Sequence, residues 1–250
     1  FIRPALPPRI MRFPATALSA FHADPEGYVR AQLTGREPAW YRKPRPPDEP
    51  ERGGEDVAQP ADDDVEGTFA YFGTAGHEVL EQLALHRWQG DVDRWAETAG
   101  TANRLREADI RDLKSRLAGA REKLQSLFPK DAEYRVEWPF ALTLTHEAIT
   151  LIVDGTIDLF SKGMDGRWQI IDYKFTEEPD NRLLKKYGLQ LNLYREALKR
   201  RLSGSSEGMG TFLAAISKSG IRLIEVPAAQ EVVNIAIRSA VELNLQRTTL

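Results

Sequence analysis

The chain has 250 residues (28.2 kDa), 42% of them hydrophobic, 28% charged and 9% aromatic, which is enough to bury a sizeable core and excludes wholesale disorder. Cysteine is absent, so disulfide scaffolds, thiolate zinc or iron–sulphur sites and cysteine nucleophiles are excluded, and no apolar run approaches the roughly 20 residues of a membrane-spanning helix. The formal net charge is −3, yet residues 48–66 hold nine acids against Arg52 alone, leaving the remainder net positive.

The opening FIRPALPPRI lacks a basic region followed by an apolar stretch, so no signal peptide is expected. The first residue is Phe1 rather than Met, and the chain is read as a segment of a longer protein in a reducing, cytoplasmic setting. Residues 14–33 are expected to be helical with Thr16 as the cap, broken in two at Asp24-Pro25. Residues 42–67, acidic and rich in Pro and Gly, are expected to form a flexible loop. Residues 74–89 read as an amphipathic helix capped by Thr74, with Val79, Leu80, Leu83 and Trp88 on one stripe. A long charged helix is expected over 102–128, packing through Leu105, Leu113, Leu117 and Leu124.

After Pro129 the pattern turns to strands over Glu133–Leu144, Ala148–Phe160 and Arg167–Phe175, with a turn at Ser161–Gly166. A helix over 181–202, strands over Gly210–Ser217 and Ile221–Val226, and a helix over Pro227–Arg247 complete the chain. Helices, three strands capable of antiparallel pairing, a helix, two strands and a helix imply an α/β sandwich around a mixed sheet, in a single domain over residues 1–250.

Four segments carry candidate chemistry. They are Gly73-Thr74-Ala75-Gly76-His77-Glu78 at the expected helix start, Val153–Asp158 on a strand, Ile170–Lys174 on the next strand, and Tyr187, Gln190 and Tyr194 on the following helix. Asp172 and Lys174 leave one face of their strand and Tyr173 the other. Behind the buried Ile170-Ile171 run, such charges need partners. Asp158 adds a second carboxylate, a set suited to Mg²⁺, and the nitrogen of His77 also suits Mn²⁺. Lys174 would then offset charge building on a phosphate. Each element alone has an ordinary reading. Asp172 with Lys174 could be a surface salt bridge, Asp158 near Gly155 turn chemistry, and Gln190 with Tyr194 helix surface. Glu137 could be an exposed strand acid, and His77 a helix-surface or core histidine, as are His22, His86 and His146. A symmetric hairpin at 161–166 places Asp172 opposite Gly155 and Asp158 opposite Gln169, which separates the two acids by roughly 10 Å along the strand. A twist, bulge or non-adjacent pairing is then required to bring them together.

The succession GTAGHEVLE, EWPF, DGTIDLF, IIDYK and YGLQLNLY closely resembles the PD-(D/E)XK nuclease domain of RecB- and AddA-type helicase–nucleases. Residues 14–30 are similar to that family's opening segment, with Asp24 where many relatives carry Cys before Pro25. That difference, with the absence of cysteine, disfavours both an iron–sulphur cluster and the Cas-associated exonucleases of the superfamily. The resemblance implies a restriction-endonuclease-like mixed central sheet flanked by helices. It also implies metal ligation by His77, Asp158, Asp172 and the Tyr173 carbonyl, a catalytic Lys174, and support of the site and contact with DNA by Gln190 and Tyr194. Glu137 matches the acid of the E-x-P-F element, and Asp154 is expected to be structural, though its parity with Asp158 would let it face the site.

The implied reaction is Mg²⁺-dependent hydrolysis of a DNA phosphodiester, with Mn²⁺ able to substitute. The substrate is expected to be single-stranded DNA, held by Lys185, Lys186 and Arg195 with stacking on Tyr187 or Trp138. No G-x-x-x-x-G-K-[ST] loop is present, so any ATPase would belong to a helicase region or subunit elsewhere. Two other readings stand beside this one: a catalytically silent DNA-binding or scaffold module on the same fold, and a free-standing phage- or plasmid-type exonuclease assembling as a ring.

Overall fold

The structure is a computed structural model and describes residues 9–34, 63–146, 149–202 and 208–247. In chain order the elements are β1 (Arg9–Pro14), α1 (Ala15–Ala23), α2 (Pro25–Thr34), α3 (Asp63–Leu85), α4 (Val92–Ala102), α5 (Glu107–Gln125), β2 (Arg135–His146), β3 (Ile149–Lys162), β4 (Trp168–Phe175), α6 (Asp180–Arg201), β5 (Gly210–Ser217), β6 (Gly220–Glu225) and α7 (Gln230–Arg247). The six strands make one mixed sheet with helices on both faces. Among the described residues no helix is long and apolar enough to cross a membrane.

β3 organises the sheet. One of its edges pairs antiparallel with β2 along Ile149–Phe160, interrupted at Asp158. The other is shared, with β1 running parallel along Ile149–Asp154 and β4 antiparallel along Leu159–Lys162. Between these two partners the segment 155–158 is left without a ladder on that edge. Beyond β4, β5 adds in parallel and β6 antiparallel.

The core is in two parts. One packs α1, α6 and α7 against Leu151, Val153, Ile157 and Ile170. The other packs α3, α4 and α5 against Leu159, Ile171, Tyr173 and Ile216. Strand side chains normally alternate between faces, yet Ile157 belongs to the first cluster and Leu159 to the second. Across the ladder, Trp138 packs on the first and Val136 against the second. Both strands therefore change face at one place, the position of Asp158 and Glu137.

Several expectations are corrected. Thr16 is not a cap: α1 starts at Ala15 behind Pro14, without a side-chain capping bond, because the parallel pairing of β1 through Pro14↔Asp154 fixes where the strand ends. β1 itself was not expected. The break at Asp24 is present, and the Asp24 carboxylate accepts the Gly27 N–H at 3.0 Å. α3 begins at Asp63, so Gly73–Glu78 lies inside a helix rather than at its start, and residues 63–67, expected as part of the flexible loop, are helical; the rest of that loop, 42–62, lies outside the described residues. Trp88 is fully buried beyond the helix end, reached through left-handed backbone at Arg87 and Trp88 (φ 54° and 62°). The helix expected over 102–128 is shorter, α5 alone over Glu107–Gln125, and α4 before it was not expected. α4 is capped by Asp91, whose carboxylate accepts the Arg94 N–H at 3.0 Å, and α5 starts after a turn in which Arg104 has φ 55° and the Leu105 N–H donates to the Gly100 carbonyl at 2.8 Å.

Candidate metal centre

The β3–β4 register differs by three residues from the symmetric hairpin. Lys162 pairs with Trp168 and Leu159 with Ile171, so Asp158 and Asp172 are next in line and face each other where the ladder stops. The connection falls later in the chain, over 163–167 instead of 161–166, closed by Gly163 N–H donating to the Arg167 carbonyl at 2.8 Å with Gly166 at φ 77°, and this displacement accounts for the shift. In place of the next backbone bond, the Tyr173 N–H donates to Asp158 Oδ2 at 2.8 Å. At the other end of the unladdered segment a side chain at Gly155 would crowd Phe140 and Ala15, at 3.0 and 3.3 Å.

On β2, Val136 pairs with Leu159 and Trp138 with Ile157, which sets Glu137 across from Asp158. Glu137 has φ 43°, a backbone conformation that costs a non-glycine residue energy and that clusters at functional sites. From α3, His77 places Nε2 3.0 Å from the Tyr173 carbonyl oxygen. A carbonyl only accepts, so Nε2 is the donor. Nδ1 stands 3.5 Å from Asp158 Oδ2. In the neutral imidazole this sets a lone pair against a carboxylate, an arrangement that a cation between them relieves. One ligand atom from each of His77, Glu137 and Asp158 lies within 4.8 Å of the others, a nitrogen and two oxygens suited to a divalent ion. The three line an open pocket of about 570 Å³, together with Glu78, Glu81, Lys174 and Phe175.

Asp172 faces the other way. It is buried (1% exposed), with Oδ2 2.5 Å from Lys174 Nζ and Oδ1 accepting from Gln190 Nε2 at 3.3 Å. The Gln190 amide also donates to Tyr194 Oη at 2.5 Å. Lys174 Nζ donates to the Tyr173 carbonyl at 3.1 Å and lies 4.8 Å from the centre of the Tyr187 ring.

Burial, then repulsion from Asp158, Glu81 and Asp172, raises the Glu137 carboxyl to about 7. Burial above all raises Asp172 to about 6, against the pull of Lys174. Burial alone would lower Lys174, but Asp172 and Asp158 outweigh it and hold the ammonium protonated. The site carries more negative charge than its one ammonium offsets.

The structure thus groups His77, Glu137 and Asp158 on the pocket side, and Asp172, Gln190 and Tyr194 behind them, with Lys174 and the Tyr173 carbonyl between and Lys174 also lining the pocket. The Asp172 carboxylate, expected as a ligand, is engaged by Lys174 and Gln190, while Glu137 stands in the ligand group. The Arg195 guanidinium, expected to contact DNA, has partners within the protein: Nη1 donates to Asn192 Oδ1 at 2.9 Å and Nη2 to the Val226 carbonyl at 2.8 Å. The Tyr187 ring is flanked by Lys174 and Lys186, and Lys186 also meets Glu178 at 3.4 Å. Lys185 is exposed on α6. Asp154 turns to Arg12 at 2.9 Å, away from the site. Glu81 was not singled out, and Glu78 only as the end of the Gly73–Glu78 segment; the spacing of His77 and Glu81, four apart on one helix, is the signal that could have found Glu81.

A family model for the PD-(D/E)XK nuclease superfamily matches residues 53–246. The chain belongs to this superfamily. Its sheet and flanking helices accord with the restriction-endonuclease-like fold, and the superfamily's nucleases use divalent metal ions, for which the pocket offers a ligand group. Among solved structures, one described as "Crystal structure of SSO0001" is similar at 14% identity, over 69% of this chain and 73% of that one, with a TM-score of 0.38. Among curated proteins none matches significantly.

Proposed function

We propose that this chain is a metal-dependent DNA exonuclease domain, the C-terminal nuclease part of a longer RecB/AddA-type helicase–nuclease. On this reading it hydrolyses single-stranded DNA during recombinational double-strand-break repair in the cytoplasm, and a helicase region or partner subunit supplies the ATPase. The observation that carries the nuclease reading is the convergence of His77, Glu137 and Asp158 ligand atoms within 4.8 Å beside the Lys174 ammonium. The helicase–nuclease reading rests on the motif succession from GTAGHEVLE to YGLQLNLY.

His77, Asp158 and Glu137 would hold a divalent ion, Mg²⁺ with Mn²⁺ as substitute, which would supply acidity to a water and positive charge to the phosphate. Asp172 is the further candidate ligand. The residues do the rest. His77 is oriented by its Nε2–H bond to the Tyr173 carbonyl. Asp158 holds the β4 backbone through the Tyr173 N–H. Lys174, kept charged by Asp172, faces the pocket and stabilises charge that develops on the phosphate oxygens. Gln190 and Tyr194 keep Asp172 in place. Lys185 and Lys186 on α6 are the proposed backbone contacts, with Tyr187 beside them.

The test is degradation of end-labelled single-stranded DNA with Mg²⁺, with Mn²⁺ and with chelator. Asp158→Asn and Lys174→Met should each lower the rate by about 10²–10³-fold, and chelator should abolish it. Equal rates for wild type and both variants would sink the site. Undetectable wild-type cleavage with intact DNA binding would favour the silent scaffold.

A further inference from the structure

Gly76 sits in the interior of α3, directly before His77, where glycine is an unfavourable helix residue. Its surroundings give a reason. A Cβ added there would overlap Cζ and Cε2 of Phe175 and stand 2.9 Å from Cδ2. The Phe175 ring cannot easily give way. It packs edge-on against Phe72 at 5.7 Å between centroids. Phe72 in turn carries the Arg116 guanidinium at 5.2 Å, and Arg116 is tied to Asp112 at 2.8 Å and Glu177 at 3.1 Å. The same Phe175 ring lies 6.2 Å from the His77 imidazole.

The pairing acts on distance. His77 reaches the Tyr173 carbonyl at 3.0 Å and Asp158 at 3.5 Å only because α3 lies this close to β4. A hydrogen bond at 3.0 Å tolerates a few tenths of an ångström before it is lost. Displacing the helix by the width of a methyl group exceeds that margin.

We infer that Gly76 and Phe175 are a positioning pair: the bare glycine seated on the phenyl ring sets the depth of α3 over β4 and so the placement of the His77 imidazole. That placement matters for metal affinity on the function proposed above, but the geometric claim can be read in the metal-free protein.

The experiment compares wild type, Gly76→Ala, Phe175→Val and the double variant. Gly119→Ala serves as control, since a Cβ there meets nothing within 4 Å. Two readouts are taken: the hydrogen-bonded imidazole N–H resonance of His77 in metal-free protein, and the Mn²⁺ dissociation constant by electron paramagnetic resonance. Gly76→Ala should lose the resonance and bind Mn²⁺ about 10-fold more weakly, the scale expected when a ligand's orienting contact is lost. The double variant, relieved of the ring, should recover the resonance and most of the affinity, and Gly119→Ala should change neither. A Gly76→Ala protein that keeps the wild-type resonance, or a folded double variant that fails to regain it, overturns the inference. If Gly76→Ala does not fold, the double variant decides by the same resonance. Wild type that binds no Mn²⁺ would overturn the metal assignment, while the imidazole comparison would still decide the pair.

Discussion

Two helices reach the same stretch of sheet and meet it in opposite ways. From α3, His77 joins Asp158 and Glu137 at an open pocket, where lone pairs face one another and nothing in the described residues neutralises them fully. From α6, Gln190 and Tyr194 close over buried Asp172, and the polar atoms there are largely spent on one another and on Lys174. Uncompensated negative charge marks the pocket side; side-chain hydrogen bonds and the Asp172–Lys174 ion pair mark the side that fixes geometry. Lys174 joins the two, with its charge supplied by the α6 side and its ammonium presented to the pocket.

The largest break in that contrast is expected on the pocket side. Asp158→Asn keeps an acceptor for the Tyr173 N–H but removes the charge, so the rate loss proposed above should come with little loss of fold. Gln190→Ala probes the other side. It leaves buried Asp172 Oδ1 without its amide donor, at a cost of about 1–3 kcal/mol, and it should lower the DNA cleavage rate about 10-fold by loosening Asp172 and Lys174. Thermal unfolding and metal titration separate the two effects. A Gln190→Ala protein with reduced Mn²⁺ affinity and unchanged stability would mean that the α6 side also serves the ligand.

The pH response sharpens the comparison. Glu137 and Asp172 are raised to about 7 and about 6, so the folded state retains protons that the unfolded chain releases. Their contribution to stability is present below the ordinary carboxylate range and is lost as pH rises through 6 and 7. Metal-free protein should therefore lose melting temperature across this range, and Glu137→Gln should lose less. Mg²⁺ should reverse the loss at the alkaline end, because the cation favours the ionised acids, and cleavage should rise with pH over the same interval. A wild-type-minus-Glu137→Gln difference that does not change between about pH 5 and pH 8 would remove Glu137 from the pocket's charge balance.

Much of this contrast was legible in the residues. Asp158, Asp172 and Lys174 are announced by alternation at the end of a buried strand, and β5 has the expected bounds. What was not legible depends on tertiary pairing. β1 reads as a polar, proline-bearing lead-in, with Met11 its buried anchor, until β3 provides the ladder. The Gly73–Gly76 run looks like a helix entrance because glycine weakens a helix interior, whereas contact with Phe175 explains Gly76 inside one. Register is set by where the closed turn falls, at 163–167, and a symmetric turn at 161–166 displaces the two acids by three residues. Glu137 looked like an ordinary strand acid because the face change at Asp158 requires both strands to break alternation together.

Arg195 offers the finest test, since it is expected to contact DNA and also has partners within the protein. Its guanidinium bridges Asn192 and the Val226 carbonyl, and Asn192 Oδ1 also accepts the Ala229 N–H at 2.9 Å, so the cluster ties α6 to the connection between β6 and α7. Burial lowers its pKa, as expected of a charge spent inside the protein. Arg195→Met should cost about 1–3 kcal/mol through unpaired acceptors and leave the salt dependence of DNA binding unchanged. Lys185→Ala should do the reverse, with stability retained and the slope of log affinity against log salt reduced by about one contact. If both substitutions flatten the salt dependence, the Arg195 guanidinium leaves its pin to meet the phosphate backbone, and the division between a holding side and a binding side of α6 fails.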